Sequence, residues 1–468
     1  MSPGKGRSAI GLPEKIFREY DIRGLVDRDL NPEGVSRLGL AIASTFSSRG
    51  IARAVVGRDV RPSSDSYFDA LTEGLMQGGI DVVDIGVVPT PVFYFAVRKW
   101  DLEGGVMITA SHNPSEFNGF KVWRGEGTIH GDEIRELHGL LSSDLEAPGG
   151  GTMTSRDASS EYIDFIADNI DLERPVRFAA DGGNATAGLV APRIFEKLGC
   201  EPVELYMEPD GNFPNHHPDP TVEKNLVDLK KAVVEGGLEL GIGFDGDSDR
   251  LGVVDENGDV IWGDMLLAIY AREVLKDNPG AAVIFEVKCS RALGEDILAH
   301  GGRPIMWKTG HSLIKKKMRD ENAPLAGEMS GHQFFADRYF GFDDAIYAAC
   351  RLLEIVSTSK TTLSGMLSDM PHYVSTPEIR LDCDDERKFE VVERIAEHFG
   401  KTNEVIDVDG ARVNFERGWG LLRASNTQPV LVLRFEAEDE EGLEDIRGRF
   451  AEALSGYIDV SGLSGDGG

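Results

Sequence analysis

The chain has 468 residues, and 49 basic against 80 acidic side chains leave a formal net charge of −31. That length predicts about three or four domains, and 41% apolar with 8% aromatic residues fits ordered globular protein. The acidity excludes a nucleic-acid binder, which needs a basic stripe, and no apolar run reaches the roughly 18 residues of a spanning helix, so no membrane partner is expected. The start, MSPGKGRSAIGLPEK, lacks the apolar core of a secretory signal. Cys200, Cys289, Cys350 and Cys383 lie far apart without a CxxC pair, which predicts free thiols in a reducing cytoplasm. A small anionic ligand remains admissible where local Arg and Lys outweigh the background field.

In chain order, residues 52–56 (ARAVV), 80–85 (IDVVDI) and 106–109 (VMIT) read as strands, with a helix over 63–78. A second set of strands covers 176–180, 200–206 and 238–244, and a third covers 281–287 and 304–308. Strands alternating with helices imply βαβ units and largely parallel sheets. The last hundred or so residues differ: an alternating strand at 430–435 precedes a helix at 441–454, which suggests a smaller α+β domain. Residues 147–152 (APGGGT) form the clearest linker, and 461–468 read as a disordered tail. The expected domains are 1–152, 153–256, 257–370 and 371–460.

A weak repeat runs through the first three. Residues 120–134, 250–266 and 334–345 each read as strand, turn, strand and helix start, and each follows a polar, glycine-containing loop. Asn257-Gly258 is a strong hairpin turn. Three related domains presenting three related loops to one cleft is the natural inference.

The loops carry the chemistry. Asp245, Asp247 and Asp249 sit at i, i+2 and i+4 just past a strand and can converge on a hard cation. A calcium loop would need glycine where Arg250 stands, so Mg²⁺ is the better reading. Ser111 leaves another strand end beside His112, where open α/β sheets meet ligands. The run 328–332 (EMSGH) offers an acceptor, a hydroxyl and an imidazole suited to sugar hydroxyls. The run 423–429 (RASNTQP) gathers a guanidinium with small donors suited to phosphate. Lys288 and the stretch 308–312 (KTGHS) add cations and proton-transfer groups. The lysines 315–317 read as the solvated face of a helix, and His216-His217 as surface.

Together these pieces resemble the α-D-phosphohexomutase superfamily, and within it the phosphomannomutase/phosphoglucomutase group. FREYDIRG (17–24), TASHNP (109–114), DGDSDR (245–250), GEMSGH (327–332) and RASNTQP (423–429) occur in family order across about 410 residues. One departure is Ser248, where many members have glycine; the three aspartates are kept. The resemblance implies three related α/β domains with mixed sheets plus a C-terminal α+β phosphate-binding domain around a central cleft.

It also implies a phosphoryl group on Ser111, and Mg²⁺ held by Asp245, Asp247, Asp249 and a phosphoserine oxygen. Glu328 and Ser330 would read sugar hydroxyls. Arg423, Ser425, Asn426 and Thr427 would hold the phosphate that does not react. Tyr20, Arg23, His112, Lys121, Arg250, Lys288, His311 and His332 would line the cleft, with His112, Lys121 and His311 as candidate bases. The implied reaction moves a phosphoryl group between C1 and C6 of mannose or glucose phosphates through a hexose 1,6-bisphosphate, with glucose 1,6-bisphosphate as activator. Two alternatives are a phosphoglucosamine mutase, which usually has Gln at the position of Met329, and a catalytically silent sugar-phosphate binder.

Overall fold

The computed structural model describes residues 11–425 and 429–463. The chain divides into two compact units, one of Met1–Ile261 with Ser330–Leu363, the other of Trp262–Met329 with Ser364–Gly468.

In the first unit the apolar runs form two mixed sheets. The larger has the order Ile22–Leu25, Phe117–Arg124, Gly104–Ile108, Arg53–Arg58, Asp81–Val87, Met153–Ser155. Its first two junctions are antiparallel and the other three parallel. The smaller has the order Val260–Ile261, Leu251–Asp255, Leu240–Phe244, Phe178–Asp181, Val203–Leu205, again two antiparallel junctions and then two parallel. Their central strands are buried on both faces, which is why they read as continuous apolar runs. Helices Pro32–Ser47 and Ser64–Gln77 pack backbone to backbone at two glycines: a Cβ on Gly74 would stand 2.0 Å from Ser36 O, and one on Gly39 2.3 Å from Leu71 O.

The second unit holds a parallel trio, Arg303–Trp307, Ala282–Glu286 and Leu325–Gly327. It also holds an antiparallel sheet in the order Val374–Ser375, Val430–Ala437, Gly418–Ala424, Ala411–Phe415, Val405–Ile406. Helices Lys388–Phe399 and Glu440–Leu454 bury Ile395, Phe399, Ile446 and Phe450 with this sheet.

Strand and helix positions follow the sequence reading within a few residues. All three repeated hairpins form: Phe117–Arg124 with Gly127–Thr128, Leu251–Asp255 with Val260–Ile261, and a bridge from Phe334 to Asp343. Of the tail, Ser461–Leu463 makes a 3-10 turn with Leu463 buried, and the rest lies outside the described residues. The four cysteines are free and buried. Among the described residues no helix is long and apolar enough to cross a membrane.

The third hairpin ends in a buried carboxylate with a measurable consequence. Asp344 caps helix Ala345–Thr358 by accepting from Tyr347 N at 2.8 Å, and it also accepts from the Tyr162 and Tyr339 hydroxyls at 2.9 and 2.6 Å. Burial outweighs these donors and pushes its carboxyl up to about 6. The folded state therefore holds the proton more tightly than the unfolded chain, whose Asp titrates near 4. Stability from this group is full below about pH 4 and falls through about pH 6, by roughly 3 kcal/mol. Denaturant unfolding between pH 4 and 7 should show this decline, and Asp344→Asn should flatten it. An equal slope in both proteins would reject the assignment.

Candidate active site

Ser111 sits just beyond strand Gly104–Ile108 in the left-handed region, at φ 51°. A non-glycine residue there carries strain of about 1–3 kcal/mol unless its surroundings fix it. They do. Ser111 N donates to Thr109 Oγ1 at 2.9 Å. The buried Arg61 guanidinium donates to the carbonyls of Ser111 (2.7 Å), Asn113 (2.6 Å), Pro114 (2.5 Å) and Phe117 (3.1 Å). Asp59 holds Arg61 from behind at 3.0 Å. Gly246 lies against the same loop: a Cβ there would stand 2.3 Å from Ser111 O.

The Ser111 hydroxyl reaches Asp245 Oδ2 at 2.9 Å and His112 Nδ1 at 3.1 Å. Asp245, Asp247 and Asp249 are fully buried, with ligand oxygens within 4.8 Å of one another. Lys121 Nζ donates to Asp247 at 2.7 Å and to Asp249. Burial and the neighbouring Asp249 and Asp247 push Asp245 well above the usual range. Burial acts the same way on Asp247, but Lys121 and the Thr90 hydroxyl override it and hold that carboxyl at about 2. Burial likewise opposes the Lys121 charge, yet Asp247 and Asp249 raise its pKa well above normal, so it stays an ammonium. Asp247 Oδ1 and Asp249 Oδ1 are buried and meet no hydrogen-bond donor among the described residues. Hard, anionic oxygens left over in this way fit a divalent cation such as Mg²⁺. Ser248, between them, takes φ 64°, the reason glycine suits that position.

Two guanidiniums and two imidazoles gather nearby. Arg23 donates to Asn113 Oδ1 at 2.6 Å and pairs with Asp21. Arg250 Nε donates to His332 Nε2 at 3.0 Å, so the His332 proton sits on Nδ1, which faces Asp343 at 3.3 Å and Asp249 at 3.6 Å. Burial, Arg250 and Arg23 push His112 well below its usual pKa, so it is neutral. Tyr20 and Ser330 are half-buried. The His216-His217 pair is half-buried rather than on the surface: His216 is bonded to Asp181 at 2.9 Å, and His217 bonds the His112 backbone.

The second unit carries its own cluster. Lys288, His311 and Glu328 are all buried, each in or at a segment following one of the three parallel strands. Glu328 Oε1 accepts from Gly310 N at 2.6 Å. Lys288 Nζ lies 3.2 Å from Glu378 and 3.9 Å from Glu286. Arg423 donates to Asp409 at 3.1 Å, and Ser425 O accepts from Lys388 Nζ at 2.5 Å. Asn426 and Thr427 lie outside the described residues. Lys315 departs from the sequence reading: it is buried one turn along from His311, with Nζ 3.2 Å from His311 Nδ1. Lys316 and Lys317 remain on the outer face, paired with Asp320 and Glu321.

Sequence reasoning missed Asp59, Arg61, Glu286, Lys315, Asp343 and Asp409. Asp59 and Arg61 had a usable signal, since both follow a strand end as Ser111 does.

A serine, converging carboxylates and buried cations at the ends of strands point to phosphoryl transfer on an α/β scaffold. Comparison with known proteins makes this specific. Models of phosphoglucomutase/phosphomannomutase match in series: alpha/beta/alpha domain I at residues 14–143, II at 160–258, III at 262–373, and the C-terminal domain at 378–453. The phosphomannomutase/phosphoglucomutase of Pseudomonas syringae pv. tomato is 47% identical over 445 residues, 95% of this chain and 96% of that one. A phosphoglucomutase of Neisseria gonorrhoeae is 46% identical over 448 residues, 95% of this chain and 97% of that one. The crystal structure of a phosphoglucomutase/phosphomannomutase family protein from Burkholderia thailandensis superposes with a TM-score of 0.90 at 42% identity, covering 96% of this chain and 99% of that one. The chain belongs to the phosphoglucomutase/phosphomannomutase family and is an enzyme of the phosphohexomutase class.

Proposed function

We propose that the chain interconverts the 1- and 6-phosphates of mannose and glucose through a phosphoryl group carried on Ser111. The observation that carries this reading is the Ser111 hydroxyl, 2.9 Å from Asp245 in a buried set of three aspartates and Lys121. A sugar hydroxyl attacks the phosphorus of phosphoserine. A new P–O bond forms, the bond to Ser111 Oγ breaks, and the proton of the attacking hydroxyl ends on Ser111 Oγ, restoring the serine hydroxyl. The 1,6-bisphosphate then returns its other phosphoryl group to Ser111. Glucose 1,6-bisphosphate would prime the serine in the same way.

Phosphoryl transfer is mostly positioning and electrostatics. Lys121, Arg23 and Arg250 supply fixed positive charge around Ser111. Lys121, kept charged by two aspartates, is a cation and not a base. His112, neutral and 3.1 Å from Ser111 Oγ, is a hydrogen-bond partner that orients the serine hydroxyl. Asp245, Asp247 and Asp249, with a phosphoserine oxygen, would bind Mg²⁺, which offsets charge on the transferring group. Glu328 and Ser330 bind sugar hydroxyls, while Arg423, Ser425, Asn426 and Thr427 hold the distal phosphate. Tyr20, Lys288, His311 and His332 complete the contacts. Residues 1–152, 153–256, 257–370 and 371–460 would be the four domains. Free buried cysteines fit a cytoplasmic enzyme.

The test is turnover of mannose 1-phosphate, glucose 1-phosphate and glucosamine 1-phosphate with Mg²⁺ and a trace of glucose 1,6-bisphosphate. Turnover of the first two is expected, and preference for the third would overturn the substrate assignment. Asp247→Asn should raise the half-saturating Mg²⁺ concentration by roughly 10–100-fold, since even an outer-shell partner is worth that much. An unchanged Mg²⁺ titration would reject the metal assignment.

A further inference from the structure

We propose that Glu286 is the positioning residue that sets the sugar-binding residues of the second unit; this rests on the mutase reading above. Glu286 ends strand Ala282–Glu286, the middle of the three parallel strands, and is fully buried. From that place its carboxylate reaches the segments leaving all three strands. Oε2 accepts from Lys288 N at 2.7 Å, in its own loop, and from Thr309 Oγ1 at 3.0 Å, beyond strand Arg303–Trp307. Oε1 accepts from Met329 N at 3.3 Å, beyond strand Leu325–Gly327. These segments bear Lys288, His311 and Glu328, one proposed contact residue each. Ligands of parallel sheets bind at such carboxyl ends.

The network continues from Thr309, whose N–H donates to Asp409 Oδ2 at 3.1 Å, the same oxygen that accepts from Arg423. One carboxylate thus registers the lysine, the sugar-reading glutamate and, through Thr309 and Asp409, the phosphate-binding arginine. Three donors converge on its two oxygens. An amide in its place would aim N–H at a backbone donor whichever way it turned: at Lys288 N, or at Met329 N. Burial raises the carboxyl pKa and Lys288 opposes that rise.

Glu286 touches no reacting atom, so its loss weakens substrate contacts without altering the phosphoserine. The expected signature is a KM effect rather than a kcat effect. Glu286→Gln should raise KM for mannose 1-phosphate and for glucose 1-phosphate by roughly 10–100-fold, as expected for a misdirected buried hydrogen bond, with kcat within about threefold. Glu286→Asp, which keeps the charge but retracts it, should fall between Gln and wild type. Thr309→Val removes the hydroxyl bond to Glu286 while keeping the backbone bond to Asp409, and should raise KM by about threefold or more without depending on how Glu286→Gln folds. An unchanged KM in Thr309→Val and in folded Glu286→Gln would overturn the proposal. So would activity that falls only in step with the fraction of folded enzyme. Wild-type enzyme inactive on both sugars would instead defeat the mutase reading itself.

Discussion

Ser111→Ala should abolish mutase turnover by at least about 1,000-fold, because it removes the nucleophile through which both half-reactions pass. The variant should still fold. Its alanine must occupy the same left-handed backbone, but the loop is held from outside by Arg61 and Thr109 rather than by the serine hydroxyl. The lost Ser111–Asp245 bond costs about 1 kcal/mol, and Asp245 keeps backbone donors at Asp249 and Arg250. Intact-mass measurement separates chemistry from folding: after glucose 1,6-bisphosphate treatment the wild type should gain one phosphoryl group and the variant none. Near-wild-type turnover in Ser111→Ala would end the covalent model.

The parts legible in the sequence were those that local rules govern. Strands such as Gly104–Ile108 and Leu240–Phe244 announce themselves because both faces are buried, leaving unbroken apolar runs. The polar loops after them stand out by contrast, which is why Ser111 and the three aspartates were found before any geometry. The Asn257-Gly258 pair marked a hairpin turn by residue type alone. What stayed hidden was set by tertiary contact. Lys315 shares a basic run with two solvated lysines, and only the helix's packed face, one turn from His311, distinguishes it. His217 looked like loop surface until His112 was found beside it. Glu286 reads as the polar end of a strand, and its meaning lies in donors as distant in sequence as Met329. Asp343 and Asp409 are likewise known only by the groups they face. The largest of these omissions concerns Arg61.

Arg61→Lys should lower kcat by roughly 100-fold while leaving KM within a few-fold, because a small displacement of a reacting group has that effect on rate. A guanidinium offers five donors in a fixed fork, and here they reach four carbonyls between Ser111 and Phe117 as well as Asp59. An ammonium has three donors on a flexible stem, so it can balance Asp59 but cannot hold the whole loop. Carbonyls left buried without donors destabilise by about 1–3 kcal/mol each, and relaxation of the loop away from φ 51° is their natural relief. Ser111 would then leave the position that Asp245 and His112 define. Lowered stability alone would remove active molecules without slowing those that remain. Dividing turnover by the number of Ser111 residues that glucose 1,6-bisphosphate can phosphorylate removes that ambiguity. If the rate per phosphorylated site stays within about threefold of wild type, misplacing the loop has no catalytic consequence, and Arg61 serves stability only.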